Sequence, residues 1–314
     1  MKYRNKNDIF KTEYSILDYA ENVMLNSDLT DNSIGPQFEK LYLGYKKLLN
    51  QSIQLVNIGD KQQERLLNLQ NDLALQNRAL EKEQQLASKV QANILPFNME
   101  LKGFQTGIYY QPANKIGGDF FDSLETNKCT HFLIGDISGH STSSALVMAV
   151  CNGMLRSLGQ TMESPLEIVT AANSMLSQIL MDSGMFLTLA YMTLDRESNV
   201  LSVVSAGHNP VYLYNGADVK MIESTGPVLG WDPDDVWETQ QFQFNPGSTL
   251  FLYTDGLVEA KNSVNVEFES KLVDSLIRLN GSPTELISTL LTEVSEFCDG
   301  KFDDDLTMFA IKRL

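Results

Sequence analysis

At 314 residues, 43% of them hydrophobic, the chain has material for one large domain or two smaller ones with a sizeable core, which excludes disorder as the default. Its formal net charge of −16 argues against nucleic acid or an anionic membrane as main partner, and three scattered cysteines (Cys129, Cys151, Cys298) without a CxxC indicate neither a disulfide framework nor a zinc site. No apolar run reaches the roughly 20 residues of a spanning helix and the charged start MKYRNKNDIFKTEY lacks the apolar core of a signal peptide, so a soluble chain in a reducing cytoplasm is expected.

The chain changes character near Pro96. Before it, Pro36 suits a first helical turn, and Phe38, Leu41, Tyr45, Leu48, Leu49 and Val56 recur at helical spacing. Leu66, Leu73, Leu80, Ala87 and Ile94 then follow one another by seven, with Leu69 and Val90 three residues after members of that series. This is a heptad seam, made imperfect by Gln76 and Glu83. It fits either one amphipathic helix packed on its own domain or a dimeric stalk. Its length, roughly four heptads with polar residues on the other faces, favours the stalk. The expected layout is a helical regulatory region over 1–60, a coiled-coil-like linker over 61–95 and a catalytic domain over 96–314.

After Pro96, GFQTGIYYQPA and HFLIGDIS read as strands, and Ser143–Leu158 and Pro165–Met181 as helices. The strands MFLTLAYMTLD, VLSVVSAGH, PVYLYNG, TQQFQFN and STLFLYTDG follow, separated by turn signals such as DRESN, NGAD and NPGS. Ser270–Leu279 and Pro283–Phe297 read as helices, and LTMFAIKRL closes as a strand. Runs of strands with paired helices predict an α+β layered sandwich, not a parallel βαβ sheet.

Four aspartates adjoin these apolar runs: Asp119 in IGGDFFD, Asp136 in FLIGDISGH, Asp255 in LFLYTDG and Asp304 in FDDDLTMFAI. Three have an ordinary explanation alone: a glycine turn with a capping acid for Asp119, a DG hairpin for Asp255 and a solvated acidic run for Asp304; a helix cap at Ser141, Thr142 or Ser143 does not account for Asp136. Together they are harder to dismiss. A carboxylate at the rim of a core costs free energy unless paired or metal-bound, and Lys115 and Lys301 are the only lysines within four residues of these acids, too few to pair all four. Carboxylate oxygens without histidine or cysteine suit magnesium or manganese, and two such ions activate water and neutralise phosphate without a nucleophilic side chain. His131 and His208 read as structural. His140, four residues after Asp136, either orients a water, donates to phosphate or ties its turn. No Ser/His/Asp spacing and no P-loop is present.

The ordered set IGGDFFD, GDISGH, SAGHNPVYLY, GPVLG, YTDGLVEA and DDDLT resembles the bacterial metal-dependent serine/threonine phosphatases of the RsbU/SpoIIE type, relatives of the 2C-type phosphatases, over about residues 85–314 from VQANILP onward. The resemblance implies a β-sandwich flanked by helix pairs, with two manganese or magnesium ions in its cleft. It implies that Asp136 bridges the ions, with the carbonyl of Ile137 completing one site. Asp119 would hold one ion, and Asp255 and Asp304 the other. Asp304 is preferred as the first acid of DD-x-T, with Asp305 standing behind it or serving as the alternative ligand. It further implies a phosphorylated anti-sigma-factor antagonist as substrate in a partner-switching pathway, an upstream regulator, and a homodimer formed through the N-terminal helices. Two departures stand out: Ser141 follows GDISGH where the family usually has glycine, and no basic cluster forms an obvious phosphate clamp. The competing reading is a non-catalytic dimeric signalling scaffold that kept the fold; a metal-dependent nuclease fits poorly with the acidic charge.

Overall fold

A computed structural model of the chain describes residues 10–26, 35–97, 99–139, 142–181, 183–215, 218–278 and 281–314. The chain divides into two compact units, Met1–Leu80 and Glu81–Leu314.

In the first unit, helix α1 (Lys11–Asn26) precedes α2 (Gly35–Ile94), which continues into the second unit. Pro36 lies in the first turn of α2 as expected. Leu17 of α1 and Tyr42 and Leu49 of α2 form a small buried core, surrounded by Phe10, Ala20, Met24, Tyr45 and Ile53. The spacing of Phe10, Leu17, Ala20 and Met24 is helical, but the charged residues between them obscure it; α1 falls within the helical region expected over 1–60, without its own bounds having been anticipated. The heptad leucines behave differently. Leu66, Leu69, Leu73 and Leu80 are all exposed along one 60-residue helix.

The second unit is built from two five-stranded antiparallel sheets, in the orders β1-β10-β9-β6-β7 and β2-β3-β4-β5-β8. The strands are β1 (Phe104–Gln111), β2 (Phe120–Glu125), β3 (Cys129–Ile137), β4 (Leu187–Asp195), β5 (Val200–Ala206), β6 (Val211–Asn215), β7 (Asp218–Ile222), β8 (Gln240–Gln243), β9 (Thr249–Tyr253) and β10 (Leu306–Arg313). Period-two alternation decides how the layers stack. Leu250, Leu252, Phe309 and Ile311 enter the core shared with the other sheet, while Phe251, Tyr253, Met308 and Ala310 face the opposite way into a second core. Helices α3 (Thr142–Thr161) and α4 (Pro165–Ile179) contribute Met148, Leu155, Ile168 and Leu176 to the first core. Helices α6 (Glu269–Arg278) and α7 (Pro283–Phe297) contribute Leu272, Leu276, Leu286 and Leu290 to the second. The result is the expected α+β sandwich between helix pairs.

Local chemistry sets the helix ends. Ser282 and Glu285 form a reciprocal capping box ahead of Pro283, and Ser164 caps the helix that starts at Pro165. The main local difference is at Asp255-Gly256. The DG pair does not turn a hairpin but opens the short helix α5 (Asp255–Val258). A Cβ on Gly256 would stand 2.1 Å from the Asp305 carbonyl oxygen, so the glycine serves a close approach between two chain segments.

Candidate active site

The acids gather where the same ends of both sheets meet. Asp119 immediately precedes β2, and Asp136 lies near the end of the adjacent strand β3, opposite Thr188 of β4. From the other sheet, Thr254 and Asp255 follow β9, and Asp304 and Asp305 lead into β10.

Asp119 stitches the two sheets. It is 1% exposed. Its Oδ2 accepts hydrogen bonds from Thr254 Oγ1 at 2.7 Å and Thr307 Oγ1 at 2.5 Å. The two threonines are themselves locked, with Thr307 N donating to Thr254 Oγ1 at 3.0 Å and Thr254 N to the Thr307 carbonyl at 3.1 Å. The remaining carboxylate oxygen, Oδ1, is buried without a hydrogen-bond partner among the described residues. An orphaned buried carboxylate oxygen is costly in a finished fold.

The electrostatics point the same way. Burial pushes the Asp119 carboxyl well above its ordinary range, and the neighbouring Asp136 and Asp305 add to it. Burial, then Asp255 and Asp304, raises Asp136 to about 7. Burial, then Asp304 and Glu259, raises Asp255 to about 6. Among the described residues none of these acids is in an ion pair. Asp122, the other acid of IGGDFFD, instead pairs with Arg156 of α3.

Asp304 and Asp305 differ in what they hold. Asp305 accepts the Ala113 amide on Oδ1 and the Gly118 amide on Oδ2, both at 2.7 Å, so both its oxygens anchor the segment between β1 and β2. Among the described residues Asp304 accepts only the amide of Asp305, on Oδ1 at 2.8 Å. Gly118 also explains the paired glycines of IGGD. A Cβ there would lie 2.6 Å from the Ile137 carbonyl oxygen, and one on Gly117 2.2 Å from Asp305 Oδ2.

Chemically, this is a donor set of oxygens alone, desolvated and lacking counter-charge, which fits a hard divalent cation. No three Asp, Glu, His or Cys side chains among the described residues close around a single point.

His140 lies outside the described residues. His131 is buried against Cys129, Tyr191 and Thr193, and burial lowers it to about 4. His208 is also buried and neutral, lowered to about 4 by burial, with Nδ1 2.8 Å from Thr188 Oγ1. His208 Nε2 is buried without a hydrogen-bond partner among the described residues.

Sequence reasoning missed Thr254, Thr307 and Gln91. The first two hide as ordinary β residues; the usable signal was their place beside the acids, in YTDG and DDLT. Gln91, near the end of α2, donates from Nε2 to the Gly117 carbonyl at 2.7 Å and accepts the Gly117 amide on Oε1 at 3.2 Å. It is buried, and it clamps the glycine two residues before Asp119. Thr254→Val or Thr307→Val is expected to lower manganese affinity about tenfold to a hundredfold by freeing Asp119 to rotate, measurable by calorimetric titration.

An antiparallel sandwich between helix pairs, with an oxygen-only acidic cleft at one end, is the architecture of a PP2C-type domain. The fold superposes on the SiaA-PP2C domain of Pseudomonas aeruginosa with a TM-score of 0.68 at 19% identity, covering 76% of this chain and 98% of that one. The profile of the family described as Stage II sporulation protein E (SpoIIE) matches residues 126–314, and the chain belongs to this family. Asp136, Asp255 and Asp304 lie inside that match, while Gln91 and Asp119 precede it. The chain is 28% identical over 256 residues to Protein IcfG of Synechocystis sp. (strain ATCC 27184 / PCC 6803 / Kazusa), covering 72% of this chain and 40% of IcfG. It is 23% identical over 239 residues to phosphoserine phosphatase RsbU of Bacillus subtilis (strain 168), covering 74% of this chain and 71% of RsbU. The chain thus spans less than half the length of IcfG.

Proposed function

We propose that the chain is a metal-dependent protein phosphatase that hydrolyses phosphoserine or phosphothreonine. The observation that carries this reading is the buried Oδ1 of Asp119, without a hydrogen-bond partner among the described residues, in a cluster of carboxylates that enter no ion pair among those residues. In this reading Asp136 would serve both of two manganese or magnesium ions, aided by the Ile137 carbonyl. Asp119 would serve one ion, and Asp255 and Asp304 the other. Engagement of both Asp305 oxygens by backbone amides supports Asp304 as the ligand and Asp305 as the anchor behind it. Bound ions of this kind supply a water acidic enough to attack at neutral pH and a counter-charge for the phosphoryl group. The protein's part is to hold its carboxylates in place. Thr254 and Thr307 fix Asp119, Asp305 fixes the Gly118 segment, and Gly118 admits the Ile137 carbonyl. The test is hydrolysis of p-nitrophenyl phosphate and of a phosphoserine peptide, each with manganese and with EDTA; a non-catalytic scaffold gives no metal-dependent turnover of either.

In this reading the substrate is a phosphorylated anti-sigma-factor antagonist in a partner-switching pathway, as the motif resemblance implies; the relative RsbU is named a phosphoserine phosphatase. Residues 1–60 would form the regulatory region, 61–95 the linker and 96–314 the catalytic domain. Among the described residues no helix is long and apolar enough to cross a membrane. Exposure of Leu66, Leu69, Leu73 and Leu80 on one helix supports a second copy as their cover, since isolated helices owe most of their stability to packing an apolar face. Leu66→Lys with Leu73→Lys is therefore expected to halve the mass in solution, read by light scattering; an unchanged mass would refute the stalk.

A further inference from the structure

A cavity of about 540 Å3 lies between the end of α4 and the loop after Leu229, lined by Leu180, Met181, Met185, Trp231 and Pro233 among others. Trp231 is 68% exposed and meets Phe186 at a ring-centroid distance of 5.9 Å. Met181 is equally open to solvent. The loop that carries the indole is nevertheless firmly built. Asn173 of α4 is buried; its Oδ1 accepts the Gly230 amide at 2.8 Å and its Nδ2 donates to the Asp232 carbonyl at 2.7 Å. These bonds grip the chain on both sides of Trp231. Gly230 adopts φ +90°, where a side chain is strained, and a Cβ there would stand 2.7 Å from Leu180 Cδ1. A buried amide and an obligatory glycine thus hold a tryptophan out in water. Folding alone gives no reason for that, because a large aromatic is ordinarily turned inward or used at an interface.

The position of the loop says which interface. Leu229 exchanges two backbone hydrogen bonds with Leu187, at 3.0 and 2.8 Å. Leu187 stands opposite Ile137 in the β3–β4 ladder. Ser138 N donates to the Phe186 carbonyl at 2.9 Å, and Phe186 N donates to Ser138 Oγ at 3.0 Å. The Trp231 loop, the start of β4 and the Ile137-Ser138 segment therefore run side by side, which ties the loop through β4 to the residues that follow Asp136. The border of the cavity is acidic, since Asp232 and Asp234 are exposed just beyond the indole.

We propose that this cavity seats an apolar segment, with a basic neighbour, that adjoins the phosphorylated residue of the protein substrate, and that Trp231 is its anchor. The inference rests on the phosphatase reading above. A substrate whose phosphate enters the cleft must lay flanking chain over its surroundings, to which this loop is tied. An indole and two methionines offer an adaptable apolar contact, and the aspartates select lysine or arginine beside it.

The test uses the full chain with manganese and three substrates: p-nitrophenyl phosphate and two phosphoserine peptides, one flanked by leucine and lysine and one by glycine and serine. The wild type should prefer the leucine-lysine peptide. In Trp231→Ala the ratio of kcat/KM for that peptide to kcat/KM for p-nitrophenyl phosphate should fall at least about tenfold, mainly through KM. Trp231→Phe should restore most of it. An unchanged ratio in Trp231→Ala overturns the proposal, as does a change in oligomeric mass instead, which would assign the patch to a second copy. If the wild type turns over p-nitrophenyl phosphate but shows no preference between the peptides, the docking proposal fails and the phosphatase reading stands. If none of the three substrates is turned over, both fail.

Discussion

Asp136→Asn is expected to reduce phosphatase turnover on the order of a thousandfold or more, while making the metal-free protein more heat-stable than the wild type. The two signs together separate a ligand from a structural residue. Asparagine keeps the shape of the side chain, so β3 and its pairing with β4 stay intact. It removes a carboxylate that burial and the neighbouring Asp255 and Asp304 already raise to about 7, and therefore relieves repulsion in the metal-free fold. Asp305→Asn should behave in the opposite way. That carboxylate holds the Ala113 and Gly118 amides, and weakening charge-assisted bonds of this kind costs about 1.5–3 kcal/mol each at most. The checks are turnover of p-nitrophenyl phosphate and melting temperature in EDTA. Asp304→Asn should follow Asp136→Asn; if it follows Asp305→Asn, the assignment between the two neighbours is reversed.

Manganese should raise the melting temperature, and more at pH 8 than at pH 5.5. Binding to the native state alone stabilises by about 2.7 kcal/mol at a hundredfold excess over Kd. The pH dependence follows from the direction of the carboxyl shifts. In the metal-free fold Asp136 and Asp255 are raised to about 7 and about 6, above their unfolded values. Their contribution to stability is fully present below the unfolded carboxyl range and is lost as pH rises through 6 and 7. At pH 8 the cluster is therefore at its most repulsive and gains most from cations. The buried histidines work with the opposite sign. His131 and His208, lowered to about 4, support the fold above pH 6.5 and withdraw that support as pH falls toward 4. Comparing manganese with EDTA at each pH cancels their effect. A manganese shift that does not grow between pH 5.5 and 8 would contradict the account of the site.

Much of the sandwich was legible because its strands obey simple periodicity. LTMFAIKRL alternates between two cores, and Pro283–Phe297 begins on a capping box and a proline that mark its start without ambiguity. Elements that lack a sharp pattern were not delimited. Strand β7 is five residues with a mostly exposed face, and α1 is a charged helix whose apolar stripe packs only against the first part of α2. The DG pair after β9 misleads for a different reason. Its local preference is a hairpin turn, but the approach of the Asp305 carbonyl to Gly256 selects a helical turn instead.

For the site, the residue types and their order along the chain drew attention to Asp119, Asp136, Asp255 and the acids at 303–305, because unpaired carboxylates beside apolar strands carry a cost that asks for an explanation, and the DD-x-T resemblance preferred Asp304 among the last three. Their shared location depends on which strand ends the two sheets bring together, which local sequence does not encode. The division of labour within the cluster is likewise tertiary. Asp119 depends on two threonine hydroxyls from the other sheet, 135 and 188 positions away in the chain. Asp305 differs from Asp304 in being buried and in holding amides nearly two hundred residues earlier. Gln91 acquires its role only when the end of α2 meets Gly117. Composition and periodicity determined the class of fold and the chemistry available to it; long-range hydrogen bonds, made only once the sheets had packed, decided which oxygen each carboxylate leaves free.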